Sequence, residues 1–429
     1  MITALTSISR PDLPIGYAIW RRARYPIFMQ SSRTPSLPAP DPVARASVRS
    51  LAASRIREIA NVAMGDPDVL AFWFGEPDQA TPAFIRDAAT ASLARGETFY
   101  SQNFGIPELR DAIARYSSAL HRPTAVDEVA VTASGMSALM LAVQALVAPG
   151  DRVVVVTPLW PNLVEIPKIL SAEVVCVPLA FGERGWSLDV DRLLDALTPA
   201  TRAVMINSPN NPTGWTIDRA AQRAVLDHCA RRGIWIVADD VYERLYFGDD
   251  ATCAPSFQDL AASDARLVAA NSFSKAWRMT GWRLGWIVAP RALMGDLGKL
   301  IEYNTSCSPV FVQRAGVAAL RDGEATVAAT RQRLHRARDR LVEALRALPG
   351  VDVASPAGAM YAFFRVAGVR DSMQFCRRLV LEAKLGLAPG SAFGPEGEGF
   401  VRWCFAASDE RLDDGIDRLA RFLASTPHR

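Results

Sequence analysis

The feature that most constrains this chain is a series of short, almost wholly apolar runs rich in β-branched residues. They are D-R-V-V-V-V-T-P (151–158), A-E-V-V-C-V-P-L (172–179), T-R-A-V-M-I-N-S-P (201–209), G-I-W-I-V-A-D-D (233–240) and A-R-L-V-A-A-N-S (265–272). A strand with one wet face alternates polar and apolar residues, whereas a strand buried on both faces does not. Segments of helical length separate the runs, so the pattern predicts strands of a largely parallel sheet with helices covering both sides. W-R-L-G-W-I-V-A-P (282–290) reads as one further strand, for which an antiparallel direction is open. The expected fold is therefore α/β, with a mostly parallel mixed sheet flanked by helices.

Such a sheet offers chemistry only at its strand ends, and ligands gather at the carboxyl ends. Four ends carry reactive or polar side chains: Trp160 in T-P-L-W-P-N, Asn211 in N-S-P-N-N-P-T-G, Asp239 and Tyr242 in D-D-V-Y, and Lys275 in N-S-F-S-K. A fifth element, V-T-A-S-G-M-S-A-L-M-L-A-V-Q-A-L (131–146), opens an apolar helix at Ser134 and Gly135. Free N–H groups there are either plainly capped or form an anion cradle.

Composition narrows the chemistry. With 50% apolar residues, 22% charged residues and a net charge of +3, the chain is neither disordered nor electrostatically suited to nucleic acid or membrane. Only four of its 48 basic residues are lysines, at 168, 275, 299 and 384. A lysine amine can lose its proton and attack a carbonyl, which a guanidinium cannot, so Schiff-base chemistry has four candidates. Six cysteines and four histidines are scattered without a C-x-x-C pair, which indicates neither a metal site nor a disulfide framework and fits a reducing cytoplasm. A Schiff-base lysine, a carboxylate for a pyridine nitrogen, a stacking ring, donors to a phenolate oxygen and an anion cradle are together the requirements of pyridoxal phosphate.

The motifs F-G-E-P-D-Q-A-T-P, Y-S-Q-N-F-G-I-P-E-L-R, N-P-T-G, D-D-V-Y, S-F-S-K-A-W-R-M-T-G-W-R-L-G and V-R-W occur in this order between about residues 46 and 425. In this the chain resembles the class I/II aminotransferases, fold-type-I pyridoxal-phosphate-dependent enzymes. The resemblance implies that Lys275 forms the covalent link and that Arg283, Ser272, Ser274, Ser134, Gly135 and the backbone of Met136 hold the phosphate. It places Asp239 at the pyridine nitrogen, Asn211 and Tyr242 at the ring hydroxyl and Trp160 on the ring face, the D-x-x-Y spacing selecting Asp239 over Asp240. Arg402, with Gly75 and Asn211, would receive the substrate α-carboxylate, and Tyr100 would reach the phosphate of a neighbouring subunit in a homodimer. Met136 departs from relatives with a polar or basic residue there, and F-W-F before Gly75 suggests an apolar entrance.

The implied activity moves an amino group from an L-amino acid to a 2-oxo acid in two half-reactions, a ping-pong sequence. A carbon–sulfur β-lyase on the same scaffold is the alternative, and a non-catalytic, cofactor-binding regulator a further one. The expected organisation is a disordered or loosely packed, Pro- and Arg-rich extension over 1–44, a large cofactor-binding domain over 78–312, and a small α+β domain from 45–77 and 313–429. The helical pattern near 46–65 is expected to pack on the C-terminal part, joining the two chain ends. No apolar run is long enough for a transmembrane span.

Overall fold

The computed structural model describes residues 44–248 and 251–425, so most of the expected extension over 1–44 lies outside the described residues. All five apolar runs are strands. With the run after Gly281 and a short strand ahead of Ser134 they form one seven-stranded sheet: β1 Val129–Thr132, β2 Arg152–Thr157, β3 Glu173–Pro178, β4 Thr201–Asn207, β5 Trp235–Asp239, β6 Leu267–Ser272 and β7 Gly285–Val288. The spatial order is β1-β7-β6-β5-β4-β2-β3, with β7 antiparallel to both neighbours and the other pairs parallel. β1 had no counterpart among the sequence expectations, because four residues between an acidic turn and a helix cap are too few to show a pattern.

The apolar runs are continuous because both sheet faces are dry. Val153 and Val155 of β2 pack with the helices Gly135–Leu146 and Arg291–Asn304, while Val154 and Val156 pack on the opposite face with Arg219–Arg232. Alternation of side chains across the pleat divides one run of valines between two cores. Helices Asn162–Ile169, Val190–Ala196 and Arg219–Arg232 are the crossovers that permit parallel pairing of β2, β3, β4 and β5.

A second, antiparallel sheet follows: β8 Val351–Val353, β9 Tyr361–Val366, β10 Ala388–Pro389 and β11 Phe400–Cys404, in the order β8-β9-β11-β10. The long helical stretch after residue 310 is two helices, Val310–Asp322 and Glu324–Ala347, divided at Gly323, where an added Cβ would lie 2.1 Å from the Ala319 carbonyl oxygen. The stretch near 46–65 also divides, into Ala46–Arg49 and Arg55–Asn61. Ile56 and Ile59 of the latter share a core with Phe375, Leu379, Trp403 and Leu412, and Leu70–Ala71 pairs with Leu385–Gly386. The segment before the large sheet thus shares a core with the small sheet.

Candidate active site

The carboxyl ends of β2, β4, β5 and β6 meet β11 around a cavity of about 590 Å³. Gly75, Gly135, Met136, Trp160, Asn211, Asp239, Tyr242, Ser272, Ser274, Lys275, Arg283 and Arg402, twelve of the residues singled out in the sequence, line it. Ser134 and Tyr100 do not. The Ser134 hydroxyl caps the helix by accepting from the Ser137 amide at 3.0 Å, so Gly135 is the residue that reaches the wall. Ser134 has φ +137°, a region essentially reserved for glycine that costs about 1–3 kcal/mol and recurs at ligand clamps. Tyr100 is 91% exposed, with Phe99 and Tyr303 also open to solvent.

Lys275 lies just beyond β6, where its ammonium donates to the Gly75 carbonyl. Burial lowers its pKa to about 8, helped by the charges of Arg402 and Arg283. It is the one lysine on the cavity wall. Asp239 ends β5 and is 5% exposed; burial pushes its carboxyl up to about 7, with a backbone donation from Val241 at 3.4 Å and the Lys275 charge acting against it. A buried carboxylate so thinly partnered is an acceptor suited to a cationic N–H. Asp240 turns elsewhere, to Ser256 Oγ at 2.9 Å, so the cavity receives the first of the two acids.

Arg402, in the middle of β11, is 2% exposed. Its guanidinium lies 4.4 Å from the Tyr361 ring centre and 4.8 Å from that of Phe393, and it donates to Asn211 Oδ1 at 2.9 Å and to the Trp73 carbonyl. Both acceptors are neutral, Nε has no partner, and among the described residues Arg402 pairs with no carboxylate. A buried, unpaired guanidinium is expensive unless an anion arrives to share its charge. Among the described residues Arg283 likewise meets only neutral acceptors, Ser274 Oγ at 3.4 Å and the Thr280 carbonyl at 2.6 Å. Ser272 and Ser274 share a hydroxyl bond of 2.9 Å beside it, and Gly135 is packed so that a Cβ would come within 3.0 Å of that of Ser272.

Sequence reasoning passed over Tyr361 and Asn207. Tyr361 bonds Tyr242 hydroxyl to hydroxyl at 2.7 Å and closes over Gly75, where an added Cβ would stand 1.9 Å from the Tyr361 hydroxyl. Asn207 holds the Asn211 amide at 2.8 Å and lines the cavity. It stood in the quoted N-S-P-N-N-P-T-G stretch, at the end of β4, and the strand-end rule alone could have found it. Among the described residues no cluster of three or more His, Cys, Asp or Glu could hold a metal ion, and no helix is long and apolar enough to cross a membrane.

The fold and this wall define an enzyme site that combines one nucleophilic amine with unsatisfied donors for two anions. Residues 67–419 match the family model for aminotransferase class I and II. The chain is 35% identical to an aspartate aminotransferase of Pyrococcus horikoshii, with 86% of this chain and 94% of the relative covered. It is 32% identical to aromatic-amino-acid aminotransferase 2 of Thermococcus litoralis, covering 86% and 95%. The structure of the Thermus thermophilus aspartate aminotransferase with maleate superposes with a TM-score of 0.82 at 31% identity, covering 88% of this chain and 99% of that one. This chain belongs to the class I and II aminotransferases, a family of pyridoxal-phosphate-dependent enzymes, and its fold is that of fold type I.

Proposed function

We propose that this aminotransferase binds pyridoxal phosphate in the cavity described above and exchanges amino groups between L-amino acids and 2-oxo acids, in two half-reactions on the same residues. The observation that carries the reading is Arg402, buried on the same cavity wall as Lys275 with an unpartnered Nε and, among the described residues, no carboxylate of its own. The donors fit the cofactor. Ser272, Ser274, Arg283 and the amides at Gly135 and Met136 suit its phosphate, Asp239 its pyridine nitrogen, Asn211 and Tyr242 its ring oxygen, and Trp160 its face. Bound there, pyridoxal phosphate supplies an electron sink for the pair released when the substrate Cα–H bond breaks.

The protein groups do the rest. Arg402 holds the α-carboxylate through a fork fixed by the two rings it lies against, so the Cα–H bond is presented in one orientation. With a pKa near 8, Lys275 Nζ is a neutral base for a useful fraction of the time at neutral pH; it takes the proton from the substrate Cα and would deliver it to the C4′ carbon of the cofactor, base and then acid. Tyr242 and Tyr361 stay neutral phenols, since burial drives Tyr242 well above its usual value and Tyr361 to about 12. Ser134 serves by capping the helix that carries Gly135.

The chain works as a homodimer in which exposed Tyr100 enters the neighbouring subunit's site. Residues 78–312 form the cofactor domain, and 45–77 with 313–429 the substrate-gripping one. A cytoplasmic location accords with the free cysteines. Relatives named for aspartate and for aromatic substrates are almost equally similar, so identity does not select the donor.

The test is to add pyridoxal phosphate to the purified protein, record the visible absorbance band, then add L-amino acids one at a time. The wild type is expected to form the band and lose it with its true donors, and Lys275→Ala to lose at least about 1000-fold in transamination. No band in the wild type, full transamination in Lys275→Ala, or pyruvate and ammonia from a cysteine conjugate without any oxo-acid acceptor would overturn the reading.

A further inference from the structure

One cluster of buried charge plays no part in the reaction described so far. His121 closes the helix Pro107–Leu120, its amide donating to the Ser117 carbonyl at 2.8 Å, and its side chain is 2% exposed. Nε2 lies 3.0 Å from Glu243 Oε2, and Nδ1 lies 2.7 Å from Asp259 Oδ1. Ionised carboxylates only accept hydrogen bonds, so both ring nitrogens must carry protons and the ring is an imidazolium. Burial alone would make it neutral, but the bonds to Asp259 and Glu243 win and hold its pKa up at about 10. The negative end of the helix dipole favours the same charge.

Glu243 connects this imidazolium to the cavity in two directions. Its Oε1 accepts from Asn271 Nδ2 at 2.7 Å, and Asn271 Oδ1 accepts from the amide of Ser272, on the cavity wall, at 2.7 Å. Its own amide donates to the Asp240 carbonyl at 2.9 Å, and Asp240 directly follows Asp239. Asp239, Asp240 and Glu243 are 5%, 4% and 3% exposed, so one short turn carries three buried acids. Burial and the Glu243 charge push Asp240 up to about 7, and His121 pulls it back. The other charged groups here are engaged: Arg219 meets Asp259 Oδ2 at 3.0 Å, while Arg244 binds Glu324 and the Tyr116 hydroxyl.

We infer that His121 is a positioning residue for Asp239: clamped between Glu243 and Asp259, its imidazolium supplies the fixed positive charge that keeps the acidic turn 239–243 and the Asn271–Ser272 strand end in place behind the cavity. The inference rests on Asp239 being the carboxylate that meets the cofactor's ring nitrogen. The turn could otherwise relieve its repulsion only by taking up protons or by moving, and either change would reach Asp239.

The experiment uses the pyridoxal-phosphate-loaded enzyme with His121→Gln, Glu243→Gln and the double variant, and reads the pH midpoint of the visible band together with kcat and KM. Loss of a buried positive charge favours the protonated chromophore, so His121→Gln is expected to raise the midpoint by about half a pH unit or more. It is expected to lower kcat about tenfold while KM stays within about twofold. Glu243→Gln shifts the midpoint downward, and the double variant, which removes both charges together, returns it to within about 0.2 pH units of wild type. If His121→Gln fails to fold, Glu243→Gln and the double variant carry the test. An unmoved midpoint in folded variants, even with a lowered Tm, reduces His121 to structural support and overturns the inference. Asp239→Asn is measured alongside. If it too leaves midpoint and turnover unchanged, the assignment of Asp239 has failed; if it is crippled while His121→Gln is silent, only the role of His121 falls.

Discussion

The two cationic corners of the cavity are built in contrasting ways. Arg402 projects from the middle of a strand, lies against two rings and is almost wholly buried, whereas Arg283 sits in a loop with left-handed φ of +53° and rests on a hydroxyl and a carbonyl. The first is a rigid fork, suited to a ligand that must arrive in one orientation at every turnover. The second is one of several converging donors, suited to a group that stays. The left-handed backbone at Arg283 costs about 1 kcal/mol for a residue with a Cβ, a local strain that the turn following Lys275 sustains. Damage at Arg402 should therefore appear in substrate kinetics, and damage at Arg283 in retention of the cofactor.

The larger of the two corner effects divides them most sharply. Arg402→Lys keeps the charge but loses the planar fork and its ring contacts, so kcat/KM for every amino acid should fall about 100-fold, with the visible band of the bound cofactor intact. A loss confined to dicarboxylic substrates would move Arg402 from the α-carboxylate to the side chain. Arg283→Gln is expected to raise the dissociation constant of pyridoxal phosphate about 30-fold, as the loss of one charge-assisted contact among several, while kcat at saturating cofactor changes much less. Equilibrium dialysis checks it, and an unchanged dissociation constant would mean that the phosphate lies elsewhere.

Eight residues before Arg283 in the chain, Lys275 gives an effect with a worked sign. Its pKa is lowered to about 8, so the neutral amine predominates above that pH and the ammonium below it. The rate at which the protein captures pyridoxal phosphate should rise about tenfold from pH 7 to 9 and level off above about pH 8; an ordinary lysine would rise about 100-fold over that range without levelling. Stopped-flow absorbance distinguishes the two curves.

How far the sequence could anticipate this contrast follows from where each signal resides. Lys275, Ser274 and Arg283 fall within one short motif, and Asp239 ends an apolar strand, so their meeting on one cavity wall was legible from local pattern and the strand-end rule. Arg402 was legible only through the V-R-W resemblance, because among so many arginines nothing local marks one as buried and unpaired. The Ser134 hydroxyl caps its helix, one of the two readings open for this helix start, and the Gly135 backbone beside it still faces the cavity. Tyr361 and His121 could not be found from pattern. Tyr361 stands in A-M-Y-A-F-F, where Phe363 and Phe364 are plain core, and His121 follows an ordinary helix; pairing across 119 and 122 residues gives each its meaning.

The smallest predicted effect asks whether Arg402 is held by the ring of Tyr361 or by its hydroxyl. Tyr361→Phe keeps the ring 4.4 Å from the guanidinium and removes only the 2.7 Å bond to Tyr242, whose own hydroxyl remains free to donate. One neutral hydrogen bond contributes about 1 kcal/mol, so kcat/KM should fall about threefold to fivefold, far less than for Arg402→Lys. Tyr361→Leu, which removes the ring as well, should cost several times more and raise KM first, because the fork loses one of the surfaces that fixes it. Were Tyr361→Phe to cost as much as Arg402→Lys, the hydroxyl would be the element that touches the reacting groups, and the rigidity of this corner would have to be ascribed to Phe393 and Asn211 instead.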